Sequence, residues 1–158
     1  DALFLIGSVL FLGFSFNLLI IARNYDLYRI IYLLLLSTMT DTFALITGKL
    51  VGKHKLVPKI SPNKTIEGLL GGVIMGTFIA SSFYHVFINP TISLVMIILI
   101  TTALSIVGQI GDLVFSMIKR YYNKKDFSNL IPGHGGILDR FDSIIFIALA
   151  FILVADIL

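Results

Sequence analysis

The sequence predicts an all-α integral membrane protein, a polytopic bundle of about five transmembrane helices with two basic cytoplasmic loops. Three observations lead there. Of 158 residues 57% are hydrophobic and 13% charged, with a mean hydropathy of +0.98, against roughly 45–50% apolar in a soluble domain. The apolar residues form five runs, each near the roughly 20 residues that cross a hydrocarbon core. The basic residues collect between those runs.

The first run, 2–22, follows the opening DALFLIG, which has no methionine, basic n-region or A-x-A cleavage site, so it reads as a span and not a signal peptide. The chain is therefore expected to be a fragment, a single transmembrane domain over 1–158. The short RNYDLYR leads into the second run, 28–48. The basic GKLVGKHKLVPKISPNKTIE separates it from the third, 67–87, where Ser61 and Pro62 are expected to start the helix with Glu67 in an early turn. Gly68, Gly72, Gly76 and Ala80 form a small-residue ridge that predicts close helix packing. The tight INP joins this run to the fourth, 91–118, and KRYYNKKDFSNLIPGHGGILDR leads to the fifth, 141–158.

Ten of the twelve basic residues sit in two of these connections: Lys49, Lys53, Lys55, Lys59 and Lys64 in one, and Lys119, Arg120, Lys124, Lys125 and Arg140 in the other. The positive-inside rule places both in the cytoplasm, on one membrane face. Their shared field favours polyanions such as nucleotides or lipid phosphates. With no cysteine, disulfides and thiolate metal sites are excluded.

A carboxylate inside a span costs about 2.5–3.5 kcal/mol on insertion scales and marks a functional position. Asp41 and Asp112 are two such residues. Thr101, Ser105, Gln109, Asp112, Ser116 and Lys119 recur at spacings of three and four, which places them on one helix face about 27 Å long. That stripe either lines a polar cavity through most of the bilayer or hydrogen-bonds neighbouring helices. Pro132, Gly133, Gly135 and Gly136 forbid a regular helix through 131–136, so the next helix begins near Ile137 or Leu138. Asp139 and Asp142 then face the same way on its first turns. Capping with Arg140 as counter-charge explains one aspartate. Three carboxylates at the membrane boundary suit a hard cation such as Mg²⁺.

The segment SMIKRYYNKKDFSNLIPGHGGILDRFD, residues 116–142, resembles the signature of the phosphatidate cytidylyltransferase (CDP-diacylglycerol synthase) family, as do DTFALITGKLVGKHKL at 41–56 and SPNKTIEG at 61–68. The resemblance implies that residues 1–158 are the C-terminal catalytic domain of a longer membrane enzyme, and that the reaction is cytidylyl transfer from CTP to phosphatidic acid, giving CDP-diacylglycerol and pyrophosphate in phospholipid biosynthesis. It also implies Mg²⁺ and K⁺ bound between Asp112 and Asp139, a bacterial inner-membrane location with the site facing the cytoplasm, membrane lipid and CTP as partners but no nucleic acid, and it allows a homodimer. Lys119, Arg120 and Arg140 are expected to contact phosphates or balance the carboxylates, with Asp142 a metal ligand or its neighbour. His134 and the N–H groups of Gly135 and Gly136 either cradle a phosphate or serve loop carbonyls. Ser61, Lys64, Ser116 and Lys125 are expected to contact substrate, and Asp41 either faces a polar cavity there or pairs with a lysine. Lys64 is no P-loop lysine, because the Gly-x-x-x-x-Gly-Lys pattern is missing. Phe115 stands where many members have glutamate, so no role of that glutamate carries over.

Two other readings stay open: a cation transporter or channel using Asp41 and Asp112, and a CTP-dependent polyprenol or phytol kinase.

Overall fold

A computed structural model describes residues 2–128 and 136–155, with the backbone alone at residues 2–5 and 8. Each apolar run forms a helix: α1 Ala2–Tyr25, α2 Leu27–Val51, α3 Ile66–Phe87, α4 Leu94–Tyr121 and α5 Leu138–Val154. α2, α3 and α4 are long and apolar enough to cross a membrane, and the whole is an all-α membrane bundle. Large side chains such as Leu45, Ile74, Phe78, Leu99 and Leu153 point outwards, which is stable only where the surroundings are as apolar as they are.

Local chemistry sets the helix ends. Asp26 alone joins α1 to α2 in an extended conformation, its carboxylate accepting from the Tyr28 N–H at 3.2 Å. α4 has 28 residues, about 42 Å, so it outruns a hydrocarbon core of roughly 30 Å. The excess is its C-terminal part, which carries the charges.

The ridge of small residues packs α3 against α2 as expected. A Cβ added at Gly72 would lie 2.5 Å from the Thr40 carbonyl oxygen, and one at Gly76 would lie 2.2 Å from Thr40 Oγ1. Away from the charged end, Tyr32, Leu33 and Leu36 of α2, Tyr84 of α3, Ile97 and Leu104 of α4 and Phe151 of α5 form the buried core, with Leu18, Leu19 and Ala22 of α1 against them.

The connection between α2 and α3 differs from the expected loop. It holds an antiparallel hairpin, β1 Lys55–Val57 and β2 Ser61–Thr65, with Lys55 opposite Thr65 and Val57 opposite Ser61. Ser61 and Pro62 therefore belong to a strand and do not start α3. Thr65 caps that helix: its backbone is extended and its hydroxyl accepts from the Gly68 N–H at 3.1 Å, as N-cap threonines do. Glu67, in the first turn as expected, accepts from the backbone N–H groups of Lys53 and His54 and contacts the His54 ring at 2.6 Å. Those contacts fold the hairpin back over the bundle end.

The stripe along α4 divides. Thr101 bonds the Tyr32 hydroxyl at 2.9 Å and Ser105 bonds Thr40 at 3.0 Å, all four buried. Of the two expectations for the stripe, interhelical hydrogen bonding between α2 and α4 holds in this half and a polar cavity through most of the bilayer does not, because each hydroxyl is buried against a hydroxyl of the facing helix. Only the charged end opens.

Candidate active site

Where α2 and α4 end and α3 and α5 begin, a cleft of about 720 Å³ opens under the hairpin. Its charged lining is balanced. Asp41, Asp112, Asp126, Asp139 and Asp142 supply five carboxylates, and Lys49, Lys55, Lys64, Lys119 and Arg140 supply five cations. Lys49, Lys119, Asp139, Arg140 and Asp142 come from helix ends, Lys55 and Lys64 from the hairpin and Asp126 from the connection after α4, while Asp41 and Asp112 lie further inside α2 and α4. Ala44, Leu45, Leu56 and Leu69 form the apolar part of the wall.

Two lysine–aspartate pairs organise the space. Lys64, on β2, reaches across to Asp112 of α4, whose other oxygen accepts from Ser116 one turn later at 3.3 Å. Lys119 of α4 pairs with Asp139 of α5 at 2.8 Å, and the second oxygen of Asp139 accepts the backbone N–H groups of Phe127 and Gly136, both at 2.9 Å. A Cβ at Gly136 would lie 3.1 Å from that same Asp139 oxygen and 3.0 Å from the Ser128 nitrogen, so the position is tight. The Lys119 ammonium also sits 5.4 Å from the centre of the Phe127 ring. Asp142 is buried and accepts its neighbour Ser143's N–H at 2.8 Å, while Ser143 Oγ lies 3.5 Å from Asp41.

The structure thus brings Asp41, Lys64, Asp112, Lys119, Asp139, Arg140 and Asp142 around one cleft, with Ser116 immediately behind Asp112. Arg120 stands apart. Its Nε donates to the Ile60 carbonyl at 3.0 Å and its Nη1 to the Lys124 carbonyl at 2.8 Å, holding the hairpin turn to the end of α4. Ser61 lies in β2 outside the lining and Lys125 is exposed on the surface. His134 and Gly135 lie outside the described residues. Phe115 is buried away from the cleft, edge-on to Phe127 and Phe146, so the position often held by glutamate is filled here by an aromatic contact.

Several lining residues had no role assigned from sequence. Lys49 lies two turns beyond Asp41, and Asp126 belongs to the Lys-Asp of the signature, so both carried a signal. Asn63 and Lys55 enter only because the hairpin folds over the site.

The donor set is all oxygen. Among the described residues no three His, Asp or Glu side chains form a ready-made metal cage. An all-oxygen lining suits a hard cation such as Mg²⁺, which uses one or two carboxylates and completes its shell with water and phosphate oxygens; Asp112 and Asp139, the two expected ligands, line the cleft with their carboxylates engaged by Lys64 and Lys119.

The model of the cytidylyltransferase family matches residues 2–158. The chain belongs to that family. Cytidylyltransferase relatives described as phosphatidate cytidylyltransferase come from Staphylococcus saprophyticus and Staphylococcus haemolyticus, each 46% identical over 147 residues, and from Staphylococcus aureus, 43% identical over the same length. These alignments take in 93% of this chain and 56% of each relative. The chain spans a little over half the length of the cytidylyltransferases it matches.

Proposed function

We propose that this chain carries the catalytic site of a phosphatidate cytidylyltransferase in a bacterial plasma membrane, with the cleft facing the cytoplasm. The observation that carries the reading is a balanced ring of five carboxylates and five cations around a nucleotide-sized cleft at the end of a membrane bundle. The sequence likeness to proteins of that name supports it.

The chemistry asks little of a base. Phosphatidic acid is a phosphate monoester whose second pKa lies near 6, so it arrives largely dianionic and is itself the nucleophile. Its phosphate oxygen forms a bond to the α-phosphorus of CTP while the bond from that phosphorus to the bridging oxygen breaks, and the electron pair leaves with pyrophosphate. The difficulty is bringing polyanions together and stabilising the leaving group. Lys64 and Lys119 are held in place by Asp112 and Asp139, so their charge is positioned before substrate enters. An arriving triphosphate draws both ammonium groups to its oxygens and frees the carboxylate lone pairs. Mg²⁺ held by Asp112 and Asp139 would supply charge neutralisation at the phosphates. Arg140, Lys49 and Lys55 surround the rest of the cleft with positive charge, and the apolar wall keeps bulk water from part of it.

Incubating membranes carrying the protein with phosphatidic acid and CTP labelled at either the α- or the γ-phosphate tests this. Label should pass to lipid from the α position alone. Label from the γ position would make the protein a kinase, and none from either would return it to the transporter reading. Single cysteines replacing Lys55 and Asn89 in this cysteine-free chain should react with an impermeant thiol reagent from opposite sides, Lys55→Cys from the cytoplasm.

A further inference from the structure

Five of the six polar residues along the α4 stripe have side-chain partners: Thr101 with Tyr32, Ser105 with Thr40, Asp112 with Lys64, Ser116 with Asp112 and Lys119 with Asp139. Gln109 is different. It is 5% exposed and lines the cleft, yet its amide nitrogen is buried and among the described residues has no acceptor, lying against Gly72, where an added Cβ would come 3.0 Å from it. A buried donor without an acceptor is destabilising. Leucine or methionine would fill the same volume without that cost. The amide turns about its last side-chain bond, so its N–H can be offered to the cleft while the helix stays in place.

Depth identifies the ligand group. Gln109 is three residues from Asp112, about 4.5 Å deeper along the helix axis, on the membrane side of the Lys64 and Lys119 pairs. The amide lies beside Gly72, which also meets Ala44, while Asp41 and Asp142 line the same cleft from α2 and α5. A lipid whose acyl chains stay in the hydrocarbon and whose phosphate lies against the lysines must place its glycerol ester groups just below that phosphate. An ester carbonyl is an acceptor and nothing else, so it complements an amide N–H that lacks one.

We infer that Gln109 holds the diacylglycerol part of the lipid substrate by donating a hydrogen bond to an ester carbonyl oxygen, which makes it a determinant of ester over ether lipids. The inference rests on the function proposed above. The test compares diacyl phosphatidate with its dialkyl ether analogue, which lacks both carbonyls, in wild type, Gln109→Met and Gln109→Leu. Wild type should show a KM roughly five- to tenfold lower for the diacyl lipid. Both variants should lose that preference by raising the diacyl KM alone, with the KM for CTP unchanged. Their melting temperatures should equal or exceed that of wild type, because an unpaired donor has been removed; a structural glutamine would lower them. Equal KM values for the two lipids in wild type, or variants that weaken both lipids alike, would overturn the role of Gln109 and leave the function standing. If no nucleotidyl transfer occurs with either lipid, the function itself falls. Displacement of a fluorescent phosphatidate by the two lipids then still decides whether Gln109 reads the ester, and equal displacement overturns it.

Discussion

The two halves of the α4 stripe have one spacing and opposite fates. Thr101 and Ser105 are buried completely and spend their hydroxyls on Tyr32 and Thr40. Asp112 and Lys119, two and four turns further on, face an open cleft and pair with residues from the hairpin and from α5. A hydroxyl is short, neutral and satisfied by one neighbour, so it suits a seam between close helices. A carboxylate needs several donors and a counter-charge, and only the end of the bundle has room for them. One helix face can therefore be glue in one half and chemistry in the other, and charge marks the change.

The sharpest way to break that contrast is to neutralise the open half. Asp112→Asn and Asp139→Asn should each lower cytidylyl transfer by roughly 100-fold or more; thermal melting of the solubilised protein should stay close to wild type in Asp112→Asn, whose freed Lys64 remains beside an open cleft, and should fall in Asp139→Asn, which breaks a nearly buried pair. Retention of most of the Mg²⁺-dependent rate in either variant would remove the distinction between the halves. Packing comes next in size. Gly76→Val drives its side chain into Thr40 and should cost about 1–3 kcal/mol through overpacking, read as a fall in melting temperature, with the KM for CTP unchanged in the protein that remains folded. The smallest effect belongs to the paired half. Thr40→Val and Ser105→Ala should each cost about 1 kcal/mol, with the double variant little worse than the more damaging single one, and turnover should stay within about twofold of wild type, as expected of groups that only join helices. A large loss of rate in these variants would instead extend the active site into the bundle.

The five helices were legible in the sequence because a run of about 20 apolar residues has few other stable states. The facing of Asp139 and Asp142 was legible too, since both lie within the first turns of one helix. The hairpin was not. KLV and SPNKT show no alternating pattern, the second holds a proline, and the two strands are held by Glu67 and Arg120, neither of which lies in a strand. Ser61 and Pro62 make a plausible helix start by composition, and Thr65 took that place because its hydroxyl reaches the Gly68 N–H once β2 has ended. Arg120 looked like a partner for phosphate, and one of its two backbone carbonyl bonds depends on a turn 60 residues away in sequence.

The sequence by itself determined the membrane bundle, the span positions, the glycine face of α3 and the clustering of carboxylates and cations near one end of it. These follow from periodicity and transfer free energy, which are local properties of the chain. Only the tertiary structure decided that Lys64 takes Asp112 and Lys119 takes Asp139, that Thr101 and Ser105 close a seam, and that Gln109 is left with an unpaired amide. Those choices depend on which side chains of different elements come within hydrogen-bond reach, as Lys64 of β2 does with Asp112 of α4, 48 residues away, and no local property of the chain fixes such a distance.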